Sequence, residues 1–376
     1  MPETAVNPYA RPAQHAPTVF GRPLRVLAWL SFLAEVIIIG TGGAVRLTGS
    51  GLGCDQWPLC TAESLVPTAE QGIHGIIEFG NRTMTGLVGL LAVAVLLLTL
   101  AAVAGRRAVY SALWFALWSV VTGIVFAVAV LLGGWIYQAA TGEAGIPAFP
   151  FFSLGLLAGV IAGAVRSWRM VAERRELSVL AWMVLIGVIA QAFVGGITVL
   201  TGLNPFIVGF HYASSLILVC VTAAYLVRLY AVPGPRRSVV PKWFAILSHV
   251  TGLALAATIF FGVLTTGSGP HSGDANVVRD GFDATVLAHV HSWPGYILAV
   301  LVIVLTIAAW ALRLAPRRWL LVLVLAILVQ IAVGVWQARE GLPEILVGTH
   351  MVLAALSAAA YTVMVMTLKD PVAEPR

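Results

Sequence analysis

The sequence predicts an all-α, polytopic membrane protein of about ten transmembrane helices, arranged as two pseudo-symmetric four-helix bundles plus a two-helix insert. Three observations predict it: an apolar composition, ten long hydrophobic runs, and an internal repeat interrupted by extra residues. Of the 376 residues, 60% are hydrophobic and only 10% are charged, and the mean hydropathy is +0.95. Water-soluble domains carry roughly 25% charged residues. Crossing a hydrocarbon layer of about 30 Å takes roughly 20 apolar residues wound as helix, because lipid offers the backbone no hydrogen-bond partner.

The runs lie near 25–45, 76–104, 110–137, 146–167, 177–199, 206–229, 243–265, 284–312, 318–337 and 346–368. The basic residues alternate in side between them. The N-terminal tail, the loops near 106, 170, 236 and 317 and the C-terminal tail hold all 22 Lys and Arg residues except Arg46, Arg82, Arg279 and Arg339. The opposite loops carry Asp55, Glu63, Glu70, Glu143, Asp274, Asp280, Asp283, Glu340 and Glu344. Cationic loops stay on the cytoplasmic side, so both termini are expected there, in a multi-pass protein of the cell membrane. The net charge of +6 then needs no nucleic-acid partner, since cytoplasmic loops facing anionic membrane lipid account for it.

Residues 1–24 place Arg11, Arg22 and Arg25 before an apolar run, but no small-residue cleavage site follows, so the first helix is expected to be retained. Three cysteines are too few for a disulfide scaffold. Cys54 and Cys60 nevertheless sit together in the first external loop, where oxidation is permitted. Cys220 lies within a helix and reads as a small core residue.

Shifting the chain on itself by 139 residues aligns 191–211 with 330–350, and eight of 21 positions are identical. Gln191/Gln330, Gly195/Gly334, Gly202/Gly341, Gly209/Gly348 and His211/His350 are among them. Matched Gln, Gly and His are harder to reach by chance in an apolar chain than matched Val. A second match pairs Thr48-Gly-Ser-Gly51 with Thr266-Gly-Ser-Gly269 at a shift of 218. The difference leaves about 79 residues that only the first half contains, and the runs at 110–137 and 146–167 fill them. An even number of spans keeps downstream orientation unchanged, so the parent unit is four helices used twice.

The expected organisation is a cytoplasmic tail over 1–24, the first two helices of the first half over 25–104, and the insert over 105–176. The last two helices of the first half follow over 177–229, then a cytoplasmic linker over 230–242, the second bundle over 243–368 and a cytoplasmic tail over 369–376.

Ionisable residues inside a span are costly and point to function. In the second helix His74, Glu78, Asn81, Arg82 and Thr85 fall at i, i+4, i+7, i+8 and i+11, one helix face. Glu78 and Arg82 read either as a buried ion pair locking helices or as a carboxylate placed to accept a proton or stabilise a cation. His211 and His350 recur at the outer start of the last helix of each unit, a pattern that suits metal ligation by neutral imidazole. His289 and His291 are roughly 200° apart around their helix, so only one faces the bundle centre, and alignment of the polar helices puts His291 nearer to Asn81. One His from the second helix and one from the fourth of a bundle suits bis-histidine haem. A tetrahedral zinc site needs two further ligands that the sequence does not offer. Glu35 and the glycines of Gly40-Thr-Gly-Gly43 read as helix-packing features.

These residues resemble those of the haem A synthase family. The resemblance rests on Thr41 through Cys60, on Glu78 to Arg82, on Gln191 through His211 and on Leu342 through His350. It covers roughly 25–104 and 178–368, while 105–177 lies outside the family's usual eight-helix pattern. It implies an oxidoreductase of two four-helix halves that converts haem O to haem A by oxidising a ring methyl to a formyl group. Haem O synthase would supply the substrate, and the product would pass to a terminal oxidase with its assembly proteins.

By the same resemblance His291 and His350 would ligate a resident haem b in the second bundle. His211 would face the substrate haem in the first, near the extracytoplasmic side. Glu78 would be the catalytic carboxylate, and Cys54 and Cys60 would form a loop disulfide, either structural or coupled to the reaction. The family's usual His three residues after the glutamate is Asn81 here. His211 would then ligate the substrate iron alone, or His74 or Asn81 would contribute, with Arg82 beside them. The classes to be distinguished from this one are a non-catalytic haem-binding oxidase-assembly factor and a quinone-reactive cytochrome b. A transporter is disfavoured because the ionisable residues cluster in the outer layer.

Overall fold

A computed structural model describes residues 20–142, 149–171, 173–274, 277–279 and 281–371. The N-terminal tail to residue 19, Glu143, the first residues of the expected fourth span, Asp280 and the last five residues of the C-terminal tail lie outside the described residues. Among the described residues, ten helices are long and apolar enough to cross a membrane. They are α1 (Arg22–Leu47), α2 (Gly72–Ala104), α3 (Arg106–Thr141), α4 (Phe149–Met170), α5 (Arg175–Leu200), α6 (Pro205–Leu229), α7 (Lys242–Ser268), α8 (Ala284–Ala311), α9 (Arg317–Arg339) and α10 (Glu344–Met366). Each expected run falls on one helix, and the protein is an all-α, multi-pass membrane protein.

Polar residues set several boundaries. The Asn204 side chain accepts hydrogen bonds from the Phe206 and Ile207 amides at the start of α6, with Pro205 in the first turn. Asp283 does the same for Thr285 and Val286 at the start of α8. Gly142 ends α3 in the left-handed region, at φ 76°. The sequence did not announce one further element: Arg236–Ser238 (β1) pairs antiparallel with Lys369–Pro371 (β2), with Arg237 opposite Asp370.

The chain divides into two compact units, one holding Phe32–Gly86 and Gly195 onward, the other Phe20–Ser31 and Leu87–Val194. In the first unit α7 packs on α8, α8 on α9, α9 on α10, and α10 returns to α7. The ring closes over a core of Phe244, Leu298, Val302, Leu305, Leu320 and Met364. The Tyr361 hydroxyl, on α10, donates to the Ser248 carbonyl on α7 at 3.1 Å. A second core joins Val36 and Ile39 of α1 to Val219 of α6 and Ala355 and Ala359 of α10. Tyr212 and Met351, equivalent positions of the repeat, meet through a 3.1 Å bond from the Tyr212 hydroxyl to the Met351 carbonyl.

In the second unit α3 and α4 form a tightly packed pair. Gly155, Gly159 and Gly163 line up at four-residue spacing along α4, and each faces α3 with no room for a side chain. A Cβ on Gly155 would lie 2.9 Å from the Gly123 Cα, one on Gly159 2.6 Å from the Ser119 Cα, and one on Gly163 2.9 Å from the Phe115 Cβ. Without a hydrophobic drive between helices in lipid, such close backbone approach is what holds them together. The Trp182 indole N–H donates to the Ser167 hydroxyl at 2.6 Å and fastens α5 to α4. Replacing Gly159 with Leu is expected to force α3 and α4 apart at a cost of roughly 1–3 kcal/mol. A lowered thermal midpoint in detergent, with the helix content unchanged, is the readout.

Candidate functional site

α8 and α10 bring His291 and His350 together. Their ring centroids are 6.2 Å apart and their planes cross at 81°. Two metal–imidazole bonds of about 2 Å each, added to the distances from ring nitrogens to ring centres, fill that gap. The His291 Nδ1 lies 2.9 Å from the Thr258 carbonyl on α7. A carbonyl only accepts, so Nδ1 carries the proton and the neutral ring keeps its lone pair on Nε2 for a metal. The His350 Nδ1 is buried without a partner, while its backbone carbonyl accepts from the Gln330 side chain at 3.0 Å. His289 is exposed and turns back onto its own helix, with Nδ1 2.8 Å from the Thr285 carbonyl. The choice between the two histidines of α8 therefore falls on His291.

Glycines make room for both rings. A Cβ on Gly262 would lie 2.8 Å from the His291 Cε1, and one on Gly334 would lie 2.9 Å from the His350 Cε1. The first half repeats the device more loosely, with Gly195 at 3.4 Å from the His211 Cε1. His291 and His350 open onto a cavity of about 160 Å³ with mostly apolar walls, including Leu255, Ile259, Leu298 and Ile327. Arg46, Thr266, His271, Gln330 and Gln337 are among its polar lining. Among the described residues no three His, Cys, Asp or Glu side chains converge as a metal cluster. Two opposed imidazoles beside an apolar cavity instead fit a flat macrocycle that brings its own four equatorial ligands.

The polar face of α2 is tied to the loop between α1 and α2. Cys54 and Cys60 are disulfide-bonded and fully buried. Glu78, 5% exposed, accepts from the Cys54 amide at 2.6 Å through Oε2 and from Arg82 at 2.5 Å and 3.2 Å through Oε1. Arg82 also donates to the carbonyls of Leu59, Cys54 and Gln56 at 2.9–3.0 Å. The pair therefore clamps both ends of the disulfide loop as well as each other. His74 is exposed, with Nδ1 2.9 Å from the Ser50 hydroxyl. The Asn81 side-chain oxygen accepts from the Thr41 hydroxyl on α1 at 2.8 Å. The His211 Nδ1 is buried without a partner. Glu78, Arg82, Cys54 and Cys60 thus form one cluster, and His74, Asn81 and His211 each have separate settings.

Residues 25–140 match the family model described as cytochrome oxidase assembly protein. Similar proteins include a haem A synthase from Exiguobacterium sibiricum, 40% identical over 86 residues, which is 23% of this chain and 28% of that one. Part of the chain is therefore similar to haem A synthases. A second such protein, from Lysinibacillus sphaericus, is 27% identical over 197 residues, covering 51% of this chain and 41% of its own. A protoheme IX farnesyltransferase from Thermus thermophilus matches at 35% over 109 residues, 29% of this chain and 18% of that one. Each match spans less than half the length of the relative.

Sequence reasoning missed Thr258, Gly262 and Arg46. Gly195-Gly196 carried an unread signal, because two adjacent glycines in a helix admit two close neighbours: the His211 ring meets the first and the Trp57 ring the second. Replacing Gly334 with Val is expected to push the His350 ring off its seat at a cost of roughly 1–3 kcal/mol, measured as a lowered thermal midpoint in detergent. Replacing Arg82 with Ala removes donors to three loop carbonyls and to Glu78, a loss of roughly 1–3 kcal/mol for the loop. Under mild reductant, Cys54 and Cys60 are then expected to react with a maleimide several-fold faster than in the unaltered chain.

Proposed function

We propose that the protein is a membrane oxidoreductase that converts haem O to haem A by oxidising a ring methyl to formyl, a net exchange of two hydrogens for one oxygen. The observation that carries the reading is the opposed pair His291 and His350 in the second bundle, with a buried carboxylate, Glu78, in the first half. His291 and His350 would hold a resident haem b, which when bound supplies one-electron redox chemistry. Thr258 fixes the His291 tautomer, and Gly262 and Gly334 admit both rings.

The first half, 25–104 with 177–229, would hold haem O. His211 is its proposed iron ligand, and Asn81, His74 and Arg82 are proposed to contribute to substrate binding. Glu78 would stabilise positive charge at the methyl carbon or take its proton. Arg82 and the Cys54 amide fix the carboxylate's orientation, and a carboxylate has about four lone-pair sites, so capacity for substrate remains. The Cys54–Cys60 bond holds the loop that orients it. The charge pattern of the loops supports cytoplasmic termini and haem sites near the extracytoplasmic face. Haem O synthase and oxidase-assembly proteins are the proposed partners.

Replacing Glu78 with Ala, in cells that make haem O, is expected to leave haem b bound while haem O accumulates and haem A falls. Extracted haems identified by mass give the answer. Undiminished haem A would remove Glu78 from the chemistry, and a wild-type protein that binds haem b but never changes haem O would be a carrier instead.

A further inference from the structure

The cavity beside His291 and His350 contains a cation from the other half of the repeat. Arg46, in the last turn of α1, lines it. Its Nη2 donates to the Thr266 carbonyl at the end of α7, and its Nε is buried with no hydrogen-bond partner. The ion pairs formed among the described residues are Glu78–Arg82 and Arg174–Glu176, so no described carboxylate neutralises Arg46. A guanidinium presents five donors in a fixed fork suited to carboxylates. Leaving it buried and unpaired in apolar surroundings is costly. Gln337, also on the cavity wall, has a buried side-chain oxygen without a partner.

The position of Arg46 is fixed independently of any ligand. Four residues on, the Ser50 hydroxyl meets His74, and the Gly51 amide donates to the Gly273 carbonyl of the second half at 2.9 Å. The Leu203 side chain wedges between these loops, so close that a Cβ on Gly273 would lie 3.0 Å from it. The two halves thus meet through their external loops, and that junction holds Arg46 over the cavity.

We propose that Arg46 is the cationic anchor for a carboxylate of the macrocycle held by His291 and His350, so that the first half completes the cofactor site of the second. This rests on the haem reading of that site. Arg46 is a binding residue here and takes no part in bond making.

The test uses the full-length protein, made in haem-depleted cells, purified in detergent and loaded with iron protoporphyrin IX or with its dimethyl ester. Transfer to excess apomyoglobin measures release. The wild type is expected to release the ester roughly ten- to a hundredfold faster than the free acid, the range for one charge-assisted hydrogen-bonded contact. Arg46→Gln should release the free acid about as fast as the ester, and Arg46→Lys should fall between. Equal retention of acid and ester by the wild type overturns the proposal whether or not the variants fold. So does an Arg46→Gln protein that still discriminates, which would leave Arg46 as a cap on α7 alone. If the wild type shows no bis-imidazole spectrum with either compound, the haem reading itself fails, and the anchor with it.

Discussion

Everything in the second bundle depends on two imidazole rings being held apart at a fixed distance inside lipid. A histidine in a membrane span needs a partner for each ring nitrogen or a reason to lack one. Here a carbonyl of α7 accepts the His291 N–H, two glycines clear the space each ring occupies, and the two rings stand 6.2 Å apart with their planes crossing at 81°. The four-helix ring makes this possible because each helix contributes a different part: α7 the acceptor and Gly262, α8 and α10 the rings, α9 the second glycine. Losing any one would leave the others without purpose.

The first half shows the same scheme turned to another end. Its histidine and glycine are in equivalent places, but the helix that should match α8 carries Glu78 and Arg82. These also hold the loop between α1 and α2, where one guanidinium reaches three carbonyls. The alternatives of structural ion pair and reactive carboxylate are therefore not exclusive. A carboxylate that must point in one direction is best fixed by groups that also serve the fold.

Much of this was legible in the chain. Hydropathy located the ten helices, because length and apolarity alone decide whether a segment can cross lipid. The matched Gln, Gly and His residues exposed the repeat and pointed to His211 and His350. What stayed hidden depends on backbone or on distant approach. The Thr258 carbonyl belongs to every residue type, Arg46 sits in a motif that looks like a simple loop entry, and the glycine stripe of α4 looks like ordinary membrane composition. The β1–β2 ladder was invisible because three-residue strands carry no periodic signal.

That small ladder joins the segment between α6 and α7 to residues that follow α10. The first strand is made before the second bundle and its partner only after it. Pairing therefore waits until α7 to α10 have been produced, so a closed ladder marks a second bundle made in full.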